Sequence, residues 1–246
     1  MLKKSLLAFA FLALSRGAAF ASPITVDEVL FDSGGTTNPG LLSGTVDMTL
    51  VGNTLTVVLR NTSADAAGSA AGVLLTGVAF QLPSGVAISS GSVSIGSSTA
   101  VNFTAPLNGN LSSEWGYDNG PLNSGAFLND ATYSYNTVVA SMVSMTTNQF
   151  ASGSIGQPPD LGGPDFGAIS ALETDAGGQE EIRDTVTFSL ILSGNPPSNL
   201  VSLIEGGNVG ISFGSPNTSS VPEPTSLSLL AVGAAMFGVR RLRRKQ

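Results

Sequence analysis

The stretch SEWGYDNG combines two aromatic rings with polar groups, which is the chemistry that a sugar-stacking site requires. Trp115 and Tyr117 supply the rings, and Glu114, Asp118 and Asn119 supply hydrogen-bonding groups beside them. Trp115 is the only tryptophan of the chain, and such a residue is more often a packing residue of the core or of a loop. Two interpretations stay open, a glycan contact through Trp115 and Tyr117 or two packed rings.

The Gly/Pro-rich stretch QPPDLGGPDFG places Asp160 and Asp165 in one predicted loop. Calcium takes about six to eight oxygen ligands, and two carboxylates with backbone carbonyls could supply some of them. The spacing fits no EF-hand or RTX repeat, and aspartates favour turns in loops that bind nothing. Asp160 and Asp165 are therefore weak calcium candidates, and the sequence predicts no required cofactor.

A third stretch is rich in carboxylates, two of which can hydrolyse a glycoside when they stand at a suitable separation. That separation cannot be read from a sequence, and an acidic surface loop explains the same residues. We therefore predict a non-enzymatic protein and keep a glycoside-active enzyme as an alternative. The carboxylates are Glu173, Asp175, Glu180, Glu181 and Asp184.

The chain has neither cysteine nor histidine among its 246 residues. This removes disulfides, zinc–thiolate sites, cysteine nucleophiles and the Ser-His-Asp triad. Residues 22–220 carry sixteen acidic and two basic side chains, a net charge of 2 − 16 = −14. Such an acidic body cannot neutralise a phosphate backbone, which argues against nucleic acid as a partner.

The segment GTVDMTLVGNTLTVVLRN predicts a β-hairpin, because Gly52-Asn53 is a favourable two-residue turn between alternating strands. With that turn, one face is wholly apolar and the other mostly polar, which a wrong register would not produce. The apolar face pairs Leu50 with Leu55, Met48 with Val57 and Val46 with Leu59; the other carries Asp47, Thr49, Thr54, Thr56, Val58 and Arg60.

Other segments repeat the period-two pattern, and none carries a long helical pattern, although DFGAISALE could form a short helical turn. Strands with one apolar face must bury it against another sheet. We therefore predict an all-β fold, a single antiparallel β-sandwich of jelly-roll type. The further predicted strands are LLTGVAFQLP, GVAISSGSVSI, YSYNTVVA, DTVTFSLIL and the segment of Val209, Ile211 and Phe213.

The N-terminus has the three parts of a secretory signal peptide. Two lysines precede an apolar run over residues 6–14, and Ala19 and Ala21 form a small-x-small site before Ser22. The nine-residue run is short for a membrane span, which needs about 20 residues. We expect a signal helix within residues 1–21 and cleavage by signal peptidase after Ala21.

The C-terminus has an apolar run over residues 227–239, followed by a basic cluster. A thirteen-residue helix reaches about 20 Å across a hydrocarbon core of about 30 Å. It could cross only by thinning the bilayer or by snorkelling of its arginines. The cluster should stay cytoplasmic, which leaves the acidic body outside; it consists of Arg240, Arg241, Arg243, Arg244 and Lys245.

The triplet Pro222-Glu223-Pro224, the short apolar run and the basic end follow one another in this order. This tail resembles the PEP-CTERM sorting signal of Gram-negative bacteria. The resemblance covers about the last tenth of the chain and implies recognition by an integral-membrane exosortase, in a system associated with exopolysaccharide and biofilm. A transient membrane helix is then expected, and whether the tail is cleaved stays open beside a simple anchor.

Together these patterns predict a signal peptide over residues 1–21, a β-sandwich domain over 22–216, and a linker with the sorting signal over 217–246. The expected function is a non-enzymatic component of the cell surface or extracellular matrix, with extracellular polysaccharide as a partner. The first alternative is a carbohydrate-binding module that uses Trp115 and Tyr117.

Overall fold

The computed structural model describes residues 24–26, 29–32, 42–64, 73–104, 107–120, 135–141, 146, 148–151, 166–172, 178 and 180–214. These residues form short strands, a 3-10 turn at Leu107–Gly109 and one helix, α1. The elements are β1 Ile24–Val26, β2 Val29–Asp32, β3 Gly44–Val51, β4 Thr54–Asn61, β5 Leu75–Phe80, β6 Ala87–Ser94, β7 Thr99–Val101, β8 Gly116–Asp118, β9 Thr137–Ala140, β10 Asn148–Gln149, β11 Ala168–Ile169, β12 Glu181–Arg183, β13 Thr185–Ser193, α1 Leu200–Glu205 and β14 Val209–Phe213.

A five-stranded antiparallel sheet has the strand order β1-β3-β4-β13-β6. Its hairpin β3–β4 has the predicted register, with Leu50 opposite Leu55 and Met48 opposite Val57. The predicted strand DTVTFSLIL is β13, and its apolar positions are buried while the intervening ones are more exposed. Period-two patterning therefore placed these strands correctly, because each has one face in the core.

A nine-stranded sheet is built around β5, which pairs with β9 and β14 along its length and with β11 at Leu75. All six residues of β5 are buried, so both of its faces are covered. Two pairs, β11–β12 and β14–β2, are parallel. The prediction of a purely antiparallel fold is therefore wrong for this sheet, because long connections allow strands to return in the same direction.

Both sheets contribute to one hydrophobic core, as a sandwich requires. Val57 and Phe188 enter it from the five-stranded sheet, and Phe80 and Ile211 enter it from the nine-stranded sheet. The Phe188 ring meets the Trp115 ring edge-on, with 5.0 Å between their centroids. Buried aromatic side chains of this size dominate the energy of a core, so the sheets are held together mainly by apolar contact.

The side chain of Asn61 ties the two sheets at the end of β4. Its amide nitrogen Nδ2 donates to the carbonyls of Val73 at 2.9 Å and Ala168 at 2.8 Å. Its oxygen Oδ1 accepts a hydrogen bond from the backbone N–H of Ser63 at 3.0 Å. Asn61 is 2% exposed, and these three bonds satisfy the polar atoms of a side chain that burial would otherwise destabilise.

The outer edge of β6 is occupied by residues on both sides of β8. The Asn119 side chain accepts from the N–H of Ile88 at 2.8 Å and donates to its carbonyl at 2.7 Å. Further along, Val93 donates its N–H to the Ser112 hydroxyl and accepts from the N–H of Leu111. These contacts replace a neighbouring strand, so that the edge presents fewer unpaired backbone groups.

One local prediction is wrong, and one element was missed. The segment DFGAISALE forms no helix where it is described, because Ala168–Ile169 is strand β11 and pairs with β12 and β5. The helix α1, Leu200–Glu205, was not predicted. It is only six residues long and has no side-chain hydrogen bond at its N-cap, so neither periodicity nor capping marks it clearly in the sequence.

Candidate functional site: the outer face of the five-stranded sheet

The solvent side of the five-stranded sheet is lined mainly by hydroxyl side chains. Strands β3, β4, β6 and β13 alternate between core and solvent, and the solvent positions are mostly Ser and Thr. We call this surface the hydroxyl face. Its residues are Thr45, Asp47, Thr49, Val51, Thr54, Thr56, Val58, Arg60, Ser90, Ser92, Ser94, Thr185, Thr187, Ser189 and Ile191.

The pairing register aligns one hydroxyl from each of four strands. Thr49 lies opposite Thr56, Thr56 opposite Ser189, and Ser189 opposite Ser92. Neighbouring strands are about 4.8 Å apart, so this hydroxyl row extends over about 14 Å. All four side chains project to the same side of the sheet, because directly opposed residues of antiparallel strands share a face.

The hydroxyls of this row are available for intermolecular bonding. Within the described part of the chain, no intramolecular hydrogen bond involves the side chain of Thr49, Thr56, Ser189 or Ser92. None of the four residues is buried. Each hydroxyl can donate one hydrogen bond and accept two. The row therefore offers donors and acceptors that only water or a ligand would satisfy.

A second row, beside the turn Gly52-Asn53, alternates apolar and hydroxyl side chains. Val51 lies opposite Thr54, Thr54 opposite Ile191, and Ile191 opposite Ser90. Val51 is 64% exposed and Ile191 is 39% exposed. Isolated apolar residues on a surface are common, but here two of them border a row of free hydroxyls.

The hydroxyl face carries little charge. Asp47 and Arg60 are its charged residues on the four strands. The Arg60 guanidinium lies 3.4 Å from Oδ2 of Asp184, and the Thr185 hydroxyl donates to the same oxygen at 2.8 Å. This ion pair sits at one end of the face, and Asp47 lies in the row next to Thr49 and Thr56.

The structure places the predicted sugar-stacking rings in the core. Trp115 is fully buried against Phe188, and Tyr117 is 8% exposed and tilted against Phe150 at 5.1 Å. The Tyr117 hydroxyl donates to the carbonyl of Ser89 at 3.1 Å. A sugar ring cannot stack on rings that are already covered, so the interpretation of Trp115 and Tyr117 as a glycan contact is wrong.

The candidate acidic residues do not form a described cluster. Glu181 is fully buried in β12, whereas Asp184 is partly exposed and paired with Arg60. Among the residues that the structure describes, no group of three or more carboxylates could hold a metal ion. Asp160, Asp165, Glu173 and Asp175 lie outside the described residues.

Both sorting signals also lie outside the described residues: Ala19, Ala21 and Ser22 at the N-terminus, and residues 217–246 at the C-terminus. In the described part of the chain, no helix has the length and apolar character needed to cross a membrane. The predicted boundaries of the signal peptide, the body and the tail stay predictions.

The comparisons with known proteins concern the tail. The PEP-CTERM protein-sorting motif matches residues 220–245, which include the triplet Pro222-Glu223-Pro224 and the basic cluster. This confirms the resemblance seen in the sequence. No curated protein and no solved structure matches the chain.

Proposed function

We propose that this protein is a non-enzymatic component of the bacterial cell surface or extracellular matrix, because the chain carries a PEP-CTERM protein-sorting motif. The match at residues 220–245 is the observation that carries this proposal. The motif implies exosortase-dependent export and sorting at the C-terminus. The finer role, association with exopolysaccharide in a biofilm, is supported by the chemistry of the body.

The route to the surface uses both ends of the chain. Signal peptidase removes residues 1–21, and the apolar run over residues 227–239 then holds the chain in the membrane. The basic cluster that ends at Lys245 stays on the cytoplasmic side, so that Pro222-Glu223-Pro224 lies on the outer side, where the exosortase reads it. A span of thirteen residues is short for a permanent anchor, which favours a transient one.

The body supports a role in contact with polysaccharide. Its net charge of 2 − 16 = −14 over residues 22–220 disfavours polyanions, whereas the hydroxyl face is nearly uncharged. Hydroxyl side chains bond neutral sugars without a metal or a catalytic residue, so the proposed role needs neither. A packed two-sheet body displayed outside the cell is then a binding and structural element rather than an enzyme.

Cell fractionation with mass determination of the mature C-terminus tests this proposal. We expect the protein in the surface or matrix fraction, with its C-terminal end upstream of Gln246. Replacing Pro222, Glu223 and Pro224 by alanine should retain the protein in the inner membrane. Pro216→Ala is the matched control, because it removes a proline just before the linker and outside the triplet, and it should be sorted normally.

The opposite result is equally clear. If the wild-type protein stays in the inner membrane with Gln246 attached, the tail is a simple anchor and the sorting proposal is wrong. If it reaches the surface but separates completely from polysaccharide during matrix extraction, the proposed association with exopolysaccharide is wrong while export stands.

A further inference from the structure

We propose that the hydroxyl face is a docking surface for a neutral, extended polysaccharide whose chain runs across the strands. This inference rests on the proposed function and names the ligand class and the surface. The row of Thr49, Thr56, Ser189 and Ser92 is the central contact.

The spacing of the row suits a sugar chain. Strands about 4.8 Å apart place one hydroxyl after another along the row, and the repeat of an extended pyranose chain is of similar length. Each successive sugar can therefore meet one strand. A chain lying along a strand would meet hydroxyls only at every second residue, about 6.6 Å apart, which fits a pyranose repeat less well.

The hydroxyls of the row have no competing intramolecular bonds among the described residues. Binding therefore exchanges bonded water for sugar hydroxyls and breaks no bond within the protein. Each exchange contributes little, because a neutral hydrogen bond to a partner replaces one to water. Several such bonds in line are needed, and the sheet provides four side by side.

The neighbouring row complements the faces of a sugar ring. Pyranose rings present C–H groups on their faces and hydroxyls at their edges. Val51 and Ile191 offer exposed apolar surface, and Thr54 and Ser90 offer hydroxyls between and beside them. Sites for neutral ligands combine these two chemistries, an apolar wall and a few placed polar groups.

The charge of the molecule selects for a neutral ligand. The face contains Asp47 and Arg60, and the arginine is paired with Asp184. No free cluster of positive charge lies on the four strands to hold a polyanion, and the acidic body repels one at moderate salt. An uncharged polysaccharide is therefore favoured over an acidic one.

Affinity electrophoresis of the mature exported protein in nonionic detergent tests the inference. Hydroxyethylcellulose is the probe, because it is soluble, neutral and extended, and carboxymethylcellulose is its acidic counterpart with the same backbone. We expect retardation by hydroxyethylcellulose that high salt does not weaken. We expect little retardation by carboxymethylcellulose.

A fourfold variant locates the site: Thr49→Val, Thr56→Val, Ser189→Ala and Ser92→Ala. It removes the hydroxyls and keeps each side chain close to its original size, and the two valines favour strands. We expect the affinity for hydroxyethylcellulose to fall about tenfold or more, since about four modest bonds are lost. The affinity of the twofold variant Thr56→Val/Ser189→Ala should lie between those of the fourfold variant and the wild type.

The matched control removes the same numbers of threonine and serine hydroxyls away from the face. It combines Thr99→Val, Thr104→Val, Ser84→Ala and Ser202→Ala, and it should bind like the wild type. Fluorescence of the buried Trp115 reports that each variant is folded.

Three results would overturn the inference: no retardation of the folded wild type by hydroxyethylcellulose, equal loss in the control and the row variant, or stronger and salt-sensitive binding to carboxymethylcellulose. These outcomes leave the sorting proposal intact, because fractionation tests it independently. Retention in the inner membrane would contradict sorting without changing the binding result.

Discussion

Asn61 should be among the positions of the body least tolerant of substitution. Its side chain bonds the carbonyls of two other segments and the N–H of nearby Ser63, at 2.8–3.0 Å, and it is buried. Asn61→Ala leaves all three backbone groups without this partner. Each buried group left unpaired costs about 1–3 kcal/mol. With three such groups, each near the lower end of that range, we expect a loss of about 3–5 kcal/mol of unfolding free energy.

The loss can be measured by guanidinium denaturation followed through Trp115. That residue is the only tryptophan and is fully buried, so its emission shifts when the core opens. With a guanidinium slope of roughly 4 kcal/mol/M, the midpoint should fall by about 1 M. Asn195→Ala, at an exposed loop position, should leave it unchanged. A midpoint of Asn61→Ala equal to that of the wild type would refute the reasoning.

Asn61→Asp adds a dependence on pH whose sign follows from the same contacts. The new carboxylate would face the carbonyls of Val73 and Ala168, and this repulsion with burial raises its pKa above the unfolded value of about 3.9. The folded state then binds the proton more tightly than the unfolded state. The deficit in unfolding free energy relative to the wild type is therefore largest at neutral pH. It shrinks as pH falls through the raised pKa towards about 4. Asn195→Asp should show no such recovery, and a deficit that stays constant with pH would contradict the assignment.

Two further changes test the packing and the charge of the body. Gly77→Ala would place a Cβ 2.6 Å from the Ser212 hydroxyl and should lower the free energy of unfolding by about 1–3 kcal/mol through overpacking. Ser212→Ala should reduce that loss in the double variant. Strict additivity of the two losses would exclude the predicted clash. Arg60→Ala removes the ion pair with Asp184. The two side chains are 49% and 28% exposed, so the free energy of unfolding should fall by less than about 1 kcal/mol. A loss of several kcal/mol would show that the pair does more than a surface contact.

The sequence predicted the hairpin β3–β4 with its register because turn and alternation are local. The same alternation identified β13 and β14. It could not give the neighbours of these strands, since β4 and β13 are more than a hundred residues apart and pair only in the folded chain. The parallel pairs and the doubly buried β5 are likewise consequences of tertiary packing.

The candidate site was predictable only in part. The polar side of the hairpin, with Thr49 and Thr56, was visible in the sequence. Its continuation through Ser189 and Ser92 depends on the sheet order, which the sequence does not reveal. Trp115 illustrates the reverse case, because its residue type suggested a sugar contact whereas Phe188 covers it. Exposure, not residue type, decides which polar or aromatic groups can meet a ligand.

The closed edge of β6 has a consequence for a protein displayed at high density. Copies that stand close together could join their sheets through an open edge and polymerise. Asn119 and Ser112 already hold the backbone of Ile88 and Val93, so a neighbouring copy finds no continuous row of free groups there. Crowded copies would then not join their five-stranded sheets through β6, and under the proposed function any cohesion between them at this edge would have to come from the polysaccharide.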